Sequence, residues 1–121
     1  MTAVPDRLAN DRTAWLCTLR PDGSPHVTPV WFVHLDNTWW IASEKPNVKL
    51  RNILNDPRVS LALEDGQVPV VAEGKAIVHR EDYPAAVVEA FAAKYDWRID
   101  RPDSVLYEVP VTKWLLTGQA Q

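Results

Sequence analysis

Apolar and polar positions divide the chain into short extended runs separated by turn residues. Residues 13–19 (Thr-Ala-Trp-Leu-Cys-Thr-Leu) and 26–35, rich in Val, Thr, Trp and Phe, predict two strands. Arg20-Pro21-Asp22-Gly23-Ser24 joins them, with Pro, Asp and Gly in roles that suit a turn. Asp36-Asn37 makes the next tight turn, into a third strand over residues 38–43. Together these segments predict an antiparallel meander. Pro29 falls inside the second strand, where it cannot donate to a ladder. An edge, a bulge or a ligand-facing position is expected there.

The period then changes. Val48, Leu50, Ile53 and Leu54 form an incomplete apolar stripe, which predicts a short helix from Pro46 to about Asn55 lying over a barrel end. Asp56-Pro57 ends it, because the residue before a proline is pushed out of the α region. Residues 59–63 and 68–79 predict two more strands around a Glu64-Asp65-Gly66-Gln67 turn, and Gly74 marks a bulge or sharp bend. A second helix is expected over residues 83–95, with Val87, Val88 and Phe91 inward and Asp82 as its N-cap. A loop over residues 97–102 leads to a last strand, 104–116, and residues 5–11 predict a short leading helix. The expected fold is mostly β: a six-stranded antiparallel barrel with two or three short helices, in one domain spanning residues 1–121. An open α+β arrangement with one helix on the sheet is the alternative.

Composition narrows the function classes. The hydrophobic and charged fractions, 46% and 24%, are those of an ordinary globular domain, which sets disorder and fibrous classes aside. A net charge of −3 argues against nucleic acid as a partner, so any anion site must be a local cluster in an acidic background. No apolar run long enough for a membrane span and no signal-peptide pattern stands out, so a cytoplasmic location away from membranes is expected. Cys17 stands alone and reads as a small buried apolar residue. Six tryptophans are many for this length. Adjacent Trp39 and Trp40 must face opposite sides of a strand, so one enters a core and the other needs a second cover, from packing outside a barrel or from a dimer partner.

Familiar catalytic sets do not emerge. His26, His34 and His79 lack metal-ligand spacing, no Gly-x-Ser-x-Gly elbow occurs, and no Gly-rich nucleotide loop is present, so neither catalytic side chains nor a metal site are assigned. One segment does carry chemistry. Ser43-Glu44-Lys45-Pro46-Asn47-Val48-Lys49-Leu50-Arg51-Asn52 runs from a strand end into a helix with basic residues near its start. Free backbone N–H groups, the helix dipole and Lys49 and Arg51 side chains together suit a phosphate. A solvated basic helix face with no ligand is the other reading. A phosphate site without protein acid–base machinery fits chemistry carried by a bound cofactor.

Three stretches carry a resemblance to a known family: Asp22-Gly23-Ser24-Pro25-His26-Val27-Thr28-Pro29-Val30-Trp31-Phe32, then Trp40-Ile41-Ala42-Ser43, then Lys49-Leu50-Arg51-Asn52-Ile53-Leu54-Asn55-Asp56-Pro57-Arg58-Val59-Ser60. They resemble the pyridoxamine 5′-phosphate oxidase-like, flavin-binding split β-barrel superfamily, and its small flavin- or deazaflavin-dependent reductases in particular. Lys94-Tyr95-Asp96-Trp97 and Val109-Pro110-Val111-Thr112-Lys113-Trp114 are similar to the family's second helix end and last strand. The resemblance implies a homodimer with FMN or coenzyme F420 at the subunit interface and a small-molecule substrate. It implies that Val27, Thr28, Pro29, Val30 and Trp31 run along the ring system, that Ser43 and Lys49 hold the phosphate with Arg51 and Asn52 close by, and that Ala42 is a further cofactor-binding residue. Trp97 or Trp114 is the candidate to reach the site from the partner chain. Val27 and Val48-Lys49 stand where the true oxidase has an arginine and an Arg-Lys pair, and its carboxy-terminal extension has no counterpart before Gln121. Oxidation of pyridoxamine phosphate is therefore not expected. The implied activity is reduction of a small electrophilic substrate; the alternative is a non-catalytic flavin or haem carrier on the same barrel.

Overall fold

The second hairpin is set by local backbone chemistry. Asp36 and Asn37 take positive φ, 53° and 56°, between Leu35 and Thr38, which face each other across the ladder. Two consecutive left-handed residues are what a tight hairpin needs to match strand twist, and Asp and Asn tolerate them best after Gly. The computed structural model describes residues 3–99 and 101–119. In chain order it contains α1 (Val4–Asn10), β1 (Ala14–Leu19), β2 (Pro25–Leu35), β3 (Thr38–Ser43), α2 (Val48–Asn55), β4 (Arg58–Leu63), β5 (Val70–Lys75), β6 (Ile77–His79), α3 (Ala85–Tyr95) and β7 (Val105–Thr117). Asp100, in the loop expected over residues 97–102, lies outside the described residues.

All pairings are antiparallel. β2 lies between β3 and β1, β1 joins β4, β4 joins β5, and β5 joins the second half of β7. The first half of β7 returns to β3, which closes a six-stranded barrel, and β6 adds one further strand against β7. Among the described residues no helix is long and apolar enough to cross a membrane.

The strand expected over residues 68–79 is broken in two. Gly74 faces Val111 and Ile77 faces Glu108, so the end of β5 and all of β6 share one register on β7, reached after shifts between Val71 and Ala72 and between Glu73 and Gly74. The break falls where β4 ends: the Ala76 N–H donates to the Pro57 carbonyl at 2.8 Å, just before β4 begins at Arg58. Beyond that point the segment has β7 as its ladder partner and parts from β4. Gly74 sits at the expected irregularity, and a Cβ there would meet the Pro110 carbonyl oxygen at 2.5 Å and Val109 Cγ1 at 2.8 Å.

Both main helices also differ from expectation. α3 begins at Ala85, with Pro84 at the N-cap position and no side-chain cap; Asp82 instead takes φ 55°. Tyr83 precedes a proline and is thereby kept out of the helix. On α2 the buried face is Leu50, Asn52 and Ile53, while Val48 and Leu54 of the expected stripe are exposed.

Two clusters fill the molecule. Inside the barrel, Trp39 packs with Phe32, Leu16, Ile41, Leu61 and Tyr107. Outside it, Trp40 packs with Val33, Leu106, Val87, Phe91 and Tyr95, so α3 supplies the second cover that the tryptophan pair demanded. Each buried aromatic of this size contributes on the order of 2–3 kcal/mol by removal of apolar area from water.

Candidate functional site

β1 faces β2 from Leu19 opposite Pro25 to Ala14 opposite Val30, whereas β3 pairs with β2 from Trp31 onward. The segment from Pro25 to Val30 therefore has one open edge, just past the end of β3. Pro29 can occupy a strand position here because no neighbour requires its missing N–H on that side. This is the edge position anticipated for it.

A cavity of about 280 Å³ opens at this edge, lined by Pro29, Val30, Trp31, Ala42, Ser43, Glu44, Lys49 and Trp97. Six of the expected site residues thus meet in one place: Pro29, Val30, Trp31, Ala42, Ser43 and Lys49. The other four do not line it. Val27 is exposed on the outer face, and Thr28 lies opposite Leu16 with its buried hydroxyl unpartnered. Arg51 is exposed on α2. Asn52 is fully buried and donates its side-chain amide to the Thr18 hydroxyl at 3.0 Å, so it holds α2 against β1.

The polar end of the cavity belongs to Lys49. Burial lowers its pKa, and among the described residues no carboxylate lies within ion-pair distance of its ammonium. The helix start contributes less than expected. Asn47 caps α2, its side-chain oxygen accepting the Lys49 N–H at 3.0 Å, so one donor assigned to an anion is already satisfied. Glu44, which the sequence reading left out, also lines the cavity and disfavours a second negative charge at its end of the site.

The aromatic wall is rigid. The Trp31 ring lies 4.5 Å from that of Tyr95, with 7° between planes, and meets Trp97 edge-on at 6.0 Å. Trp97 reaches the cavity within its own chain. Its path is set by Asp96, which ends α3 in the left-handed region at φ 52°. Trp114 lies elsewhere, donating its indole N–H to the Asn37 side chain at 3.0 Å.

Tyr95 also completes β2. Past Ala14, β1 no longer borders this edge, and Phe32 would have buried backbone groups without partners. The Tyr95 hydroxyl accepts the Phe32 N–H at 3.0 Å and donates to the Arg12 carbonyl at 2.8 Å. Lys94 Nζ donates to the Phe32 carbonyl at 2.9 Å, with the ammonium 3.7 Å from the Phe32 ring centroid. Burial raises the Tyr95 phenol and lowers the Lys94 ammonium to about 8. The end of α3 thus stands in for a missing strand beside the segment that forms the cavity wall.

The sequence pattern of the family described as pyridoxamine 5′-phosphate oxidase matches residues 2–118. The chain belongs to the pyridoxamine 5′-phosphate oxidase family. Solved structures agree on the fold of this family member. An F420 reductase is 23% identical, with 90% of this chain and 93% of that one covered and a TM-score of 0.72. HutZ, a haem storage protein from Vibrio cholerae, is 17% identical, with 97% and 94% covered and a TM-score of 0.78. The hypothetical protein Rv2991 from Mycobacterium tuberculosis is 27% identical, with 92% and 79% covered and a TM-score of 0.73. No curated protein matches the chain at the sequence level.

Proposed function

We propose that this family member is an oxidoreductase of small electrophilic molecules that uses FMN or coenzyme F420 and acts as a homodimer. The observation that carries the reading is the half-buried, unneutralised Lys49 ammonium at one end of a cavity whose other wall is a fixed indole beside an open strand edge. That donor set fits a phosphate joined to a flat ring: a charge at one end, backbone groups and an aromatic face at the other.

Each side chain then has a task. Lys49 and Ser43 hold the phosphate, Val30 and the bare edge at Pro29 offer backbone to the ring system, and Trp31 and Trp97 exclude water. A bound flavin or deazaflavin supplies the hydride chemistry. The chain supplies orientation and a water-poor wall, and solvent provides the proton.

A second copy completes the site in this reading. At about 280 Å³ the cavity is below the usual range of roughly 300–1,000 Å³ for ligand pockets. Trp15, Val27, Trp31 and Leu115 are 40%, 55%, 44% and 43% exposed. Trp15 and Cys17 face Pro29 and Val27 across the ladder, so most of this apolar surface is continuous with the cavity rim. A haem carrier would need its axial ligand from the second copy, because the cavity lining within the chain offers no His, Cys, Met or Tyr.

The test is titration of the purified chain with FMN and with F420, followed by absorption and by tryptophan quenching. Tight binding of one, and oxidation of the reduced holoprotein by a quinone or an enone, is the expected result. Binding without turnover of any acceptor would make the protein a carrier, and binding of neither would remove the proposal.

A further inference from the structure

We propose that the cleft between α1, the end of β2 and α3 is a second ligand site, suited to a small organic anion with an apolar body. It has a volume of about 460 Å³ and shares no lining residue with the cavity around Lys49. Its apolar surface comes from Leu8, Val33, Leu35 and Ala90, and its polar edge from Arg12, His34 and Lys94.

The two cations are held in place by groups that leave much of their donor capacity unspent. Arg12 donates one guanidinium N–H to the Lys94 carbonyl at 2.9 Å and lies 4.8 Å from the Tyr95 ring centroid. Lys94 donates to the Phe32 carbonyl and rests over the Phe32 ring. A guanidinium carries five N–H donors and an ammonium three, so most remain for a ligand. Both side chains are already ordered, which lowers the entropy cost of binding.

Charge balance favours an anion here even though the whole chain is net negative. No carboxylate lines the cleft; the nearby Asp11 pairs with Arg7 at 3.7 Å and also acts on Lys94 from outside the lining. His34 adds a third polar atom. Its Nε2 is buried away from the opening, and burial, with Lys94 beside it, pushes its pKa down, so the ring lines the cleft as a neutral polar group near neutral pH. The Trp39 and Trp114 rings, 5.8 and 5.9 Å away, fix its plane. An apolar floor bordered by two cations and a neutral imidazole matches an aromatic or branched carboxylate better than inorganic phosphate or a neutral molecule.

Calorimetric titration of the purified chain with 2-naphthoate tests the site, with 2-naphthalenemethanol and inorganic phosphate as comparison probes. Naphthoate is expected to bind at least about tenfold more tightly than either, the scale of one charge-assisted hydrogen bond. Arg12→Gln is expected to weaken it about tenfold. Ala93→Trp, on an exposed position at the rim, blocks the cleft without touching a cation and is expected to abolish binding. Lys49→Met is expected to leave naphthoate affinity unchanged, which separates this site from the proposed cofactor cavity. Circular dichroism verifies that each variant folds. Equal affinity for the alcohol, undiminished binding in folded Ala93→Trp, or loss of binding in Lys49→Met would each overturn the proposal.

Discussion

Replacing Lys49 with methionine removes the ammonium while keeping most of the apolar stem. In the ligand-free chain the charge is half-buried, unpaired and disfavoured by desolvation, so its loss should leave stability unchanged or slightly raised. The cofactor complex should respond in the opposite direction. A hydrogen bond to a charged group contributes about 1.5–3 kcal/mol, which corresponds to a roughly ten- to hundredfold rise in Kd. Trp31 and Trp97 line the same cavity, so quenching of tryptophan emission by FMN or F420 reports binding directly. Riboflavin, which has the ring but no phosphate, is the control: its affinity should be the same in both proteins. An unchanged Kd for the phosphorylated cofactors would show that the phosphate is held elsewhere. An equal loss for riboflavin would show that the substitution distorts the pocket.

Three further substitutions probe the frame around the site. Gly74→Ala forces a methyl group against the Pro110 carbonyl and Val109, so urea denaturation should register a loss of about 1–3 kcal/mol with an unchanged m-value; a neutral result would mean that β5 and β7 can separate easily. Tyr95→Phe keeps the ring beside Trp31 but strips the acceptor from the buried Phe32 N–H, for an expected cost of about 1–3 kcal/mol in thermal or urea unfolding and a retained near-ultraviolet tryptophan signal. An unaltered stability would rule out the surrogate-strand role of the phenol. Lys94 has its pKa lowered from the ordinary 10.5 to about 8, so its charge penalises folding fully below about 8 and the penalty fades as pH rises toward 10.5. Wild type should therefore gain stability relative to Lys94→Met between neutral pH and about pH 10, and a constant difference would refute that assignment.

How far the site could be read in advance differed residue by residue. Ser43 and Lys49 could be grouped in advance because a strand end running into a basic helix start is a contiguous signal, whereas the Pro29–Trp31 strand entered through the family resemblance. Asn52 shares that contiguous segment yet turns inward, since α2 buries Leu50, Asn52 and Ile53 rather than the stripe ending at Leu54. A lone amide between Arg51 and Ile53 gives no local sign that Thr18, distant in sequence, will bind it. The late start of α3 was different: Pro84 stood in the sequence, and its effect on Tyr83 is local. Glu44 and Asn47 also lay within the recognised segment, and Asn before a helix is an ordinary cap signal.

What the sequence alone determined is what short-range chemistry controls. The left-handed Asp36-Asn37 pair, the stops at Asp56-Pro57, the strand alternation and the opposed Trp39 and Trp40 depend on neighbours a few residues away, and they specify a β-rich domain with two hydrophobic faces. Tertiary structure decided where segments remote in the chain meet. It broke the strand at Ala76 because β4 begins at Arg58, brought Trp97 into the cavity of its own chain through the left-handed turn at Asp96, and placed Tyr95 and Lys94 where β1 no longer borders β2. Those outcomes follow from barrel closure, which fixes which backbone groups lack partners, and no local pattern encodes that.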